Sequence, residues 1–171
     1  MSDEELIVEI LSGKKELFEE VLNRYERQIL VYTLRLLNFH QQDGEDATSE
    51  TFVKAYLNLA GFKTSLKFSS WLYRIAHNEA MNIMKKRSKH HFLELSEVID
   101  GFMPATDDWD KPSSEDLEKI LAKLKPTDRN LLVLFHLEEK SLREISDILK
   151  LSENTIAVKL RRARQRAKKF V

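Results

Sequence analysis

Apolar residues recur at intervals of three and four along most of this chain, the spacing of amphipathic helices and not of strands. Leu17, Phe18, Val21, Leu22, Tyr25, Ile29, Tyr32 and Leu36 mark a long helix over residues 14–38. Ahead of it, Ser2 and Glu5 have the spacing of a capping box, opening a short helix that Ser12-Gly13 closes. Asp43 is placed to cap a third helix carrying Ala47, Thr51, Val53, Ala55 and Leu57, which stops near Gly61. A loop over residues 62–67 leads into a fourth helix ending in Lys85-Lys86-Arg87-Ser88-Lys89. Residues 92–113 lose the period and gather Gly101, Pro104 and Pro112, the composition of a linker. Ser113 and Asp116 then start a helix with Leu117, Ile120, Leu121 and Leu124, and Pro126 stands where a helix N1 proline would. Ser141 and Glu144 form a second capping box before Leu142, Ile145, Ile148 and Leu149, and Ser152 can cap a last helix. The pattern predicts an all-α chain: two small helical domains, 1–91 and 114–171, joined by a flexible linker over 92–113.

Composition agrees and narrows the function. Only four Gly and three Pro in 171 residues argue against a turn-rich β fold. The absence of cysteine removes disulfides, thiolate metal sites and thiol catalysis together, and suits a cytoplasmic protein. The acidic start Met-Ser-Asp-Glu-Glu is unlike a secretory signal, and no apolar run reaches the ~18 residues of a membrane span, so no direct membrane insertion is expected. Net charge is zero, but it is unevenly distributed: −6 over residues 1–60, +6 over 61–91, −7 over 92–120 and +6 over 141–171. Two basic blocks separated by acidic ones predict two polyanion-binding surfaces.

The last two helices, joined by the tight turn Lys150-Leu151, read as a helix-turn-helix whose second member is basic. At 100° per residue, Ile156, Leu160, Ala163, Ala167 and Phe170 form one buried stripe. Asn154, Val158, Arg161 and Gln165 lie opposite, flanked by Ala157, Arg162, Lys168 and Lys169. Such a helix packs one side on its domain and lays the other in a major groove, with its first turns at base edges. In the fourth helix Phe68, Leu72, Ile75, Ala76, Ala80 and Ile83 make the core face, and Trp71, Arg74, Asn78, Met81 and Lys85 share an adjacent face. An aromatic ring, a guanidinium and an amide beside a loop with Phe62, Lys63, Thr64 and Ser65 suit unpaired DNA, whose bases stack on rings while cations hold the backbone. His90-His91 has no further ligand at i+3 or i+4, and no nucleophile–base pair or phosphate-cradling glycine loop appears. No catalytic residue, metal or cofactor is therefore expected.

At this point the motifs resemble a known family. Residues 43–56, DGEDATSETFVKAY, resemble the acidic helix of the extracytoplasmic-function (ECF) sigma factors, a group within the sigma-70 family of bacterial RNA polymerase subunits. Residues 68–78, FSSWLYRIAHN, resemble that family's promoter-melting segment; residues 124–129, LKPTDR, and 151–164, LSENTIAVKLRRAR, resemble its LPxxxR helix start and its recognition helix. The resemblance implies a factor that binds core polymerase, at the β′ clamp helices and the β flap, and directs promoter recognition and melting. Asp43, Glu45, Asp46, Glu50 and Phe52 would face the β′ clamp helices. Phe62, Lys63, Ser65, Phe68, Trp71, Arg74, Asn78, Lys85 and Lys86 would serve the melted −10 element, the 62–68 loop holding a flipped base that Arg74 and Asn78 read. Ser152, Asn154, Thr155, Ala157, Val158, Arg161, Arg162 and Gln165 would serve the −35 duplex. An anti-sigma factor is a further implied partner. Ser49, Ala47-Thr48, Ala157 and Val158 depart from the usual pattern. A plain helix-turn-helix regulator is the rival reading, and it leaves the melting segment unexplained.

Overall fold

The computed structural model describes residues 1–88, 109–110 and 112–171. His90-His91 and nearly all of the expected linker lie outside the described residues. Within them are eight α-helices and no strand. α1 (Asp3–Leu11) opens on the expected capping box, Ser2 Oγ accepting from the Glu5 N–H and the Ser2 N–H donating to Glu5 Oε2. One turn of 3₁₀ helix, Lys15–Leu17, leads into α2 (Phe18–Leu36).

α3 (Gln41–Asn58) starts earlier than the sequence predicts. Asn38 and Phe39 adopt φ of +52° and +57°, turning the chain sharply after α2. This leaves His40 extended as the N-cap, its Nδ1 accepting from the Asp43 N–H at 3.4 Å. Asp43 is thus inside the helix, and its carboxylate receives Arg87 Nη2 at 2.7 Å. Arg87 closes α4 (Phe68–Arg87), and Lys54 of α3 reaches Glu79 of α4 at 2.6 Å. Early residues of α3 meet late residues of α4, so the two helices run antiparallel.

α2 and α3 approach closely at Gly44, where an added Cβ would stand 2.4 Å from Leu34 Cδ2. The buried hydroxyls of Thr33 and Thr48 both donate to the Gly44 carbonyl, at 3.1 and 2.7 Å. This accounts for a threonine at position 48: a hydroxyl satisfied within the helix contact is buried without an orphan donor. Around it Ile29, Tyr32, Leu36, Ala47, Leu72 and Ala76 are almost wholly buried.

The second unit comprises α5 (Ser114–Leu121), α6 (Pro126–Leu132), α7 (Leu142–Leu149) and α8 (Glu153–Ala167). α6 runs into one π turn, Val133–Leu137, which the periodicity did not disclose. Pro126 stands in the first turn of α6, and Ser113, Ser141 and Ser152 cap α5, α7 and α8 as expected. Lys150 adopts φ +57° between α7 and α8, a left-handed turn that costs a lysine on the order of 1 kcal/mol. Arg166 of α8 clamps Asp128 of α6 through two bonds of 2.8 and 2.9 Å.

The two units touch through a polar seam. Arg129 is buried and donates to three carbonyls: Leu121 at 2.9 Å, Leu124 at 3.0 Å and, in the first unit, Leu36 at 2.8 Å. Tyr32 Oη donates to Asn130 Oδ1 at 2.9 Å, and Asn130 Nδ2 meets His77 Nδ1 at 3.1 Å. Glu138 receives Tyr73 Oη at 2.6 Å and Arg35 Nη1 at 3.0 Å, and Lys140 Nζ lies 4.4 Å from the Tyr73 ring centre.

Candidate nucleic-acid interface

α4 carries the first site. Its inward stripe is Phe68, Leu72, Tyr73, Ala76 and Ala80, which fixes where the remaining side chains point. Phe62 and Phe68, expected at a base-holding loop, are core residues at 6% and 1% exposure. Their rings lie 5.4 and 5.7 Å from the Trp71 ring, so they orient Trp71 and offer no free face of their own. The loop's exposed residues are Lys63, Thr64 and Ser65, while Lys67 is drawn to Glu144 of α7 at 2.9 Å.

Trp71, Arg74, Ile75, Asn78 and Glu79 line one wall of an open groove of about 340 Å³. The other wall is Lys54 and Asn58 of α3, and no residue of the 62–68 loop lines it. Trp71 is the link between this groove and the loop, its ring lying 5.4 Å from that of Phe62. Among the described residues neither Arg74 nor Asn78 has a hydrogen-bond or ion-pair partner. An unpaired guanidinium and amide beside a half-buried indole match what an unpaired strand requires. Lys85 and Lys86 extend the positive end of α4 into solvent. Lys54, Asn58 and Glu79 were missed by sequence reasoning, because a groove wall contributed by a second helix has no local signature.

α8 carries the second site. Ile156, Leu160, Ala163 and Ala167 are buried, whereas Phe170, predicted to continue this stripe, lies in a terminal 3₁₀ turn and is 41% exposed. Ser152 Oγ accepts from the Thr155 N–H, and Asn154, Ala157 and Val158 of the first turns are exposed. Arg161, Arg162 and Gln165 follow, partly exposed on the next turns. Arg164 leans back to His136 at 3.1 Å and Arg166 to Asp128, so these two brace the unit.

A third surface lies on α3. Glu45, Asp46 and Glu50 are exposed, but Phe52 is 6% exposed and packs inward with Ala47, Thr51 and Ala55. Asp43, also placed on this face by the sequence, is mostly buried and held by Arg87. Val53 and Leu57 take the place expected of Phe52, 52% and 72% exposed and four residues apart. Acidic groups flanking bare apolar side chains suit a basic protein partner with an apolar centre.

Helices throughout the described residues, with a capped, basic helix-turn-helix in the second unit, have the make-up of a DNA-binding protein. Residues 21–90 match Sigma-70 region 2, and residues 114–166 match Sigma-70, region 4. The RNA polymerase sigma factor YlaC of Bacillus subtilis is 33% identical, over 88% of this chain and 90% of its own. The ECF RNA polymerase sigma factor SigW of the same organism is 28% identical, over 95% and 93%. Among solved structures, CnrH in complex with the cytosolic domain of CnrY superposes with a TM-score of 0.71 at 21% identity, covering 98% of this chain and 95% of that one. The chain belongs to the sigma-70 family of RNA polymerase sigma factors, in its ECF group. The rival of a plain helix-turn-helix regulator leaves the region 2 match over residues 21–90 without an explanation.

Proposed function

We propose that this chain docks on core polymerase through α3, captures the unpaired −10 strand along α4 and reads the −35 duplex with α8. Glu45, Asp46 and Glu50, with Val53 and Leu57, form the surface for the β′ clamp helices; the second unit meets the β flap. Trp71, Arg74 and Asn78 hold the melted strand, with Lys63, Ser65, Lys85 and Lys86 along its backbone. Ser152, Asn154, Thr155, Ala157, Val158, Arg161, Arg162 and Gln165 form the duplex surface. The reading assigns no catalytic step and no cofactor to the chain and places it in the cytoplasm; no helix among the described residues is long and apolar enough to cross a membrane. Division at residues 91 and 114 into an N-terminal and a C-terminal sigma domain is part of the same reading. An anti-sigma factor is a further partner, by analogy with RpoE of Bartonella quintana, solved with the anti-sigma factor NepR (TM-score 0.68, 21% identity, 90% of this chain and 95% of that one).

The observation that carries the reading is Arg74 and Asn78 beside Trp71, without a polar partner among the described residues and inside the segment matching Sigma-70 region 2. The purified chain, added to sigma-free core polymerase, should produce transcripts with a defined start from chromosomal DNA. Core enzyme that remains bound but initiates nowhere would overturn it.

A further inference from the structure

The α3–α4 groove contains a charged pair that simple strand capture does not require. Glu79 is 8% exposed, and its Oε1 receives Lys54 Nζ at 2.6 Å. Its second carboxylate oxygen has no hydrogen-bond donor among the described residues. Asn58 Nδ2 is used by the Lys54 carbonyl at 2.8 Å, which leaves the amide oxygen as that side chain's remaining acceptor. The groove therefore presents two acceptors, Glu79 Oε2 and Asn58 Oδ1, beside Lys54 and Arg74. Eight residues separate Trp71 from Glu79, about 12 Å along the helix axis. That exceeds the ~3.4 Å between stacked bases on one strand. A base lying on Trp71 therefore does not reach Glu79, which stands about three to four stacked-base steps further along such a strand.

We infer that this groove is a second base-reading subsite, in which Glu79, assisted by Asn58, selects an unpaired base bearing an exocyclic amine, cytosine above all. The chemistry is that of acceptor recognition: a carboxylate accepts from cytosine N4–H₂ and repels the O4 of thymine at the same place. Lys54 neutralises the carboxylate, so the adjoining phosphate meets no net negative charge, and Arg74 supplies its cation. Glu79 is then a specificity residue and not merely a tie between two helices. The inference rests on the reading that α4 holds the melted strand.

The test uses the full chain reconstituted with core polymerase and a library of pre-melted templates randomised across the non-template strand of the bubble. Retained templates are sequenced. Wild type should enrich cytosine over thymine at one bubble position. Glu79→Gln should reduce that ratio by about 5- to 150-fold, the span of one base-edge contact, and leave other positions unchanged. Asn58→Ala should reduce it at the same position by a smaller factor; it leaves the Lys54–Glu79 pair in place should the first variant fold poorly. An unchanged base profile in both variants, or a wild-type profile without preference at any bubble position, overturns the inference. Arg74→Ala separates the two claims: loss of overall retention in that variant alone keeps strand capture and removes only the reader, and full retention removes both.

Discussion

Tyr73 of α4 donates its hydroxyl to Glu138 at 2.6 Å, joining residues 65 apart in sequence and from opposite units. The Glu138 carboxylate is 9% exposed and also receives Arg35 at 3.0 Å, so one acid serves two donors in a seam with little water. Burial, first, and then the adjacent Glu138 charge and hydrogen bond hold the Tyr73 phenol well above its ordinary range, so it is a donor at every working pH. Tyr73→Phe should cost roughly 1.5–3 kcal/mol, the worth of a hydrogen bond to a charged group. Glu138→Ala should cost more, because it takes a partner from Arg35 as well as from Tyr73 and leaves Arg35 only its 3.5 Å pair with Glu118. Urea unfolding of both variants checks this, and a Glu138→Ala loss smaller than that of Tyr73→Phe would refute the shared-acceptor arrangement.

The same seam predicts an acid limb in stability. Asn130 Oδ1 accepts from Tyr32, so Asn130 Nδ2 is the donor toward His77 Nδ1, and the His77 proton belongs on Nε2. Burial lowers the His77 pKa from 6.5 to about 4. A depressed folded pKa means the unfolded chain takes up a proton first as pH falls. The contribution is complete above about pH 6.5 and is lost progressively down to about pH 4, roughly 3 kcal/mol in all. His77→Gln keeps an acceptor for Asn130 but cannot titrate, so its stability curve should be flatter over this window. Glu144 falls in a different window. Burial alone would raise its carboxyl, but Lys67 and the Ser141 N–H and O–H outweigh that and hold it at about 2, so its contribution fades only below pH 4.5.

Most of the helical frame was legible because it is encoded locally. Ser2, Ser113, Ser141 and Ser152 each precede a helix and accept from the N–H three residues on, which spacing alone discloses. The α3 start is not legible because histidine is not a usual cap, and the positive φ of Asn38 and Phe39 that exposes it has no glycine to announce it. The resemblance points Phe52 outward, whereas the inward stripe Ala47–Thr51–Ala55 draws it into the core. The polar seam and the Lys54–Glu79 groove were not legible at all. Their partners lie 25 to 103 residues apart, and each alone looks like an ordinary surface side chain.

Docking on polymerase is tested at the exposed acids of α3. Among the described residues the polar partners of Asp46 and Glu50 are Gln42 and Lys54, both on their own helix. Asp46→Arg with Glu50→Arg should leave stability within about 0.5 kcal/mol while weakening core binding by several kcal/mol. Leu57→Ser should weaken it with no change in charge. Pull-down titrations against core enzyme read both, and an unaltered affinity in the double variant would assign the partner to another face.

Duplex reading is tested on α8 at positions whose exposure is plain. Asn154→Ala should relax preference at one base pair by roughly 1–3 kcal/mol, and Lys168→Ala should weaken all sequences alike and lower the salt slope by about one. Val158 is 38% exposed on the same face, where a methyl group of thymine is its natural neighbour. Val158→Ser should therefore shift the base preferred at one position without altering the salt slope. Selection from random duplexes, repeated at two salt concentrations, distinguishes the two kinds of effect.

Melting is the property that separates this chain from a simple duplex binder, and Arg74 and Asn78 are where it should fail. Among the described residues neither has a hydrogen-bond or ion-pair partner, and Phe62 and Phe68 hold the Trp71 ring in place, so neither substitution removes a polar contact seen in the fold. Stacking one base on an aromatic contributes roughly 1–3 kcal/mol, and opening one step of duplex costs about 1.4 kcal/mol. The balance is close, and losing one polar contact to the captured strand tips it toward closed DNA. Asn78→Ala and Arg74→Ala should bind duplex promoter much as wild type does, yet show weaker permanganate reactivity of thymines in the −10 region. Pre-melted templates should restore much of the lost transcription, because the opening cost has already been met. Trp71→Ala should be impaired on both templates, since it removes the stacking surface itself along with part of the aromatic cluster. Equal failure of Asn78→Ala on duplex and pre-melted DNA would place its role elsewhere than in opening the promoter.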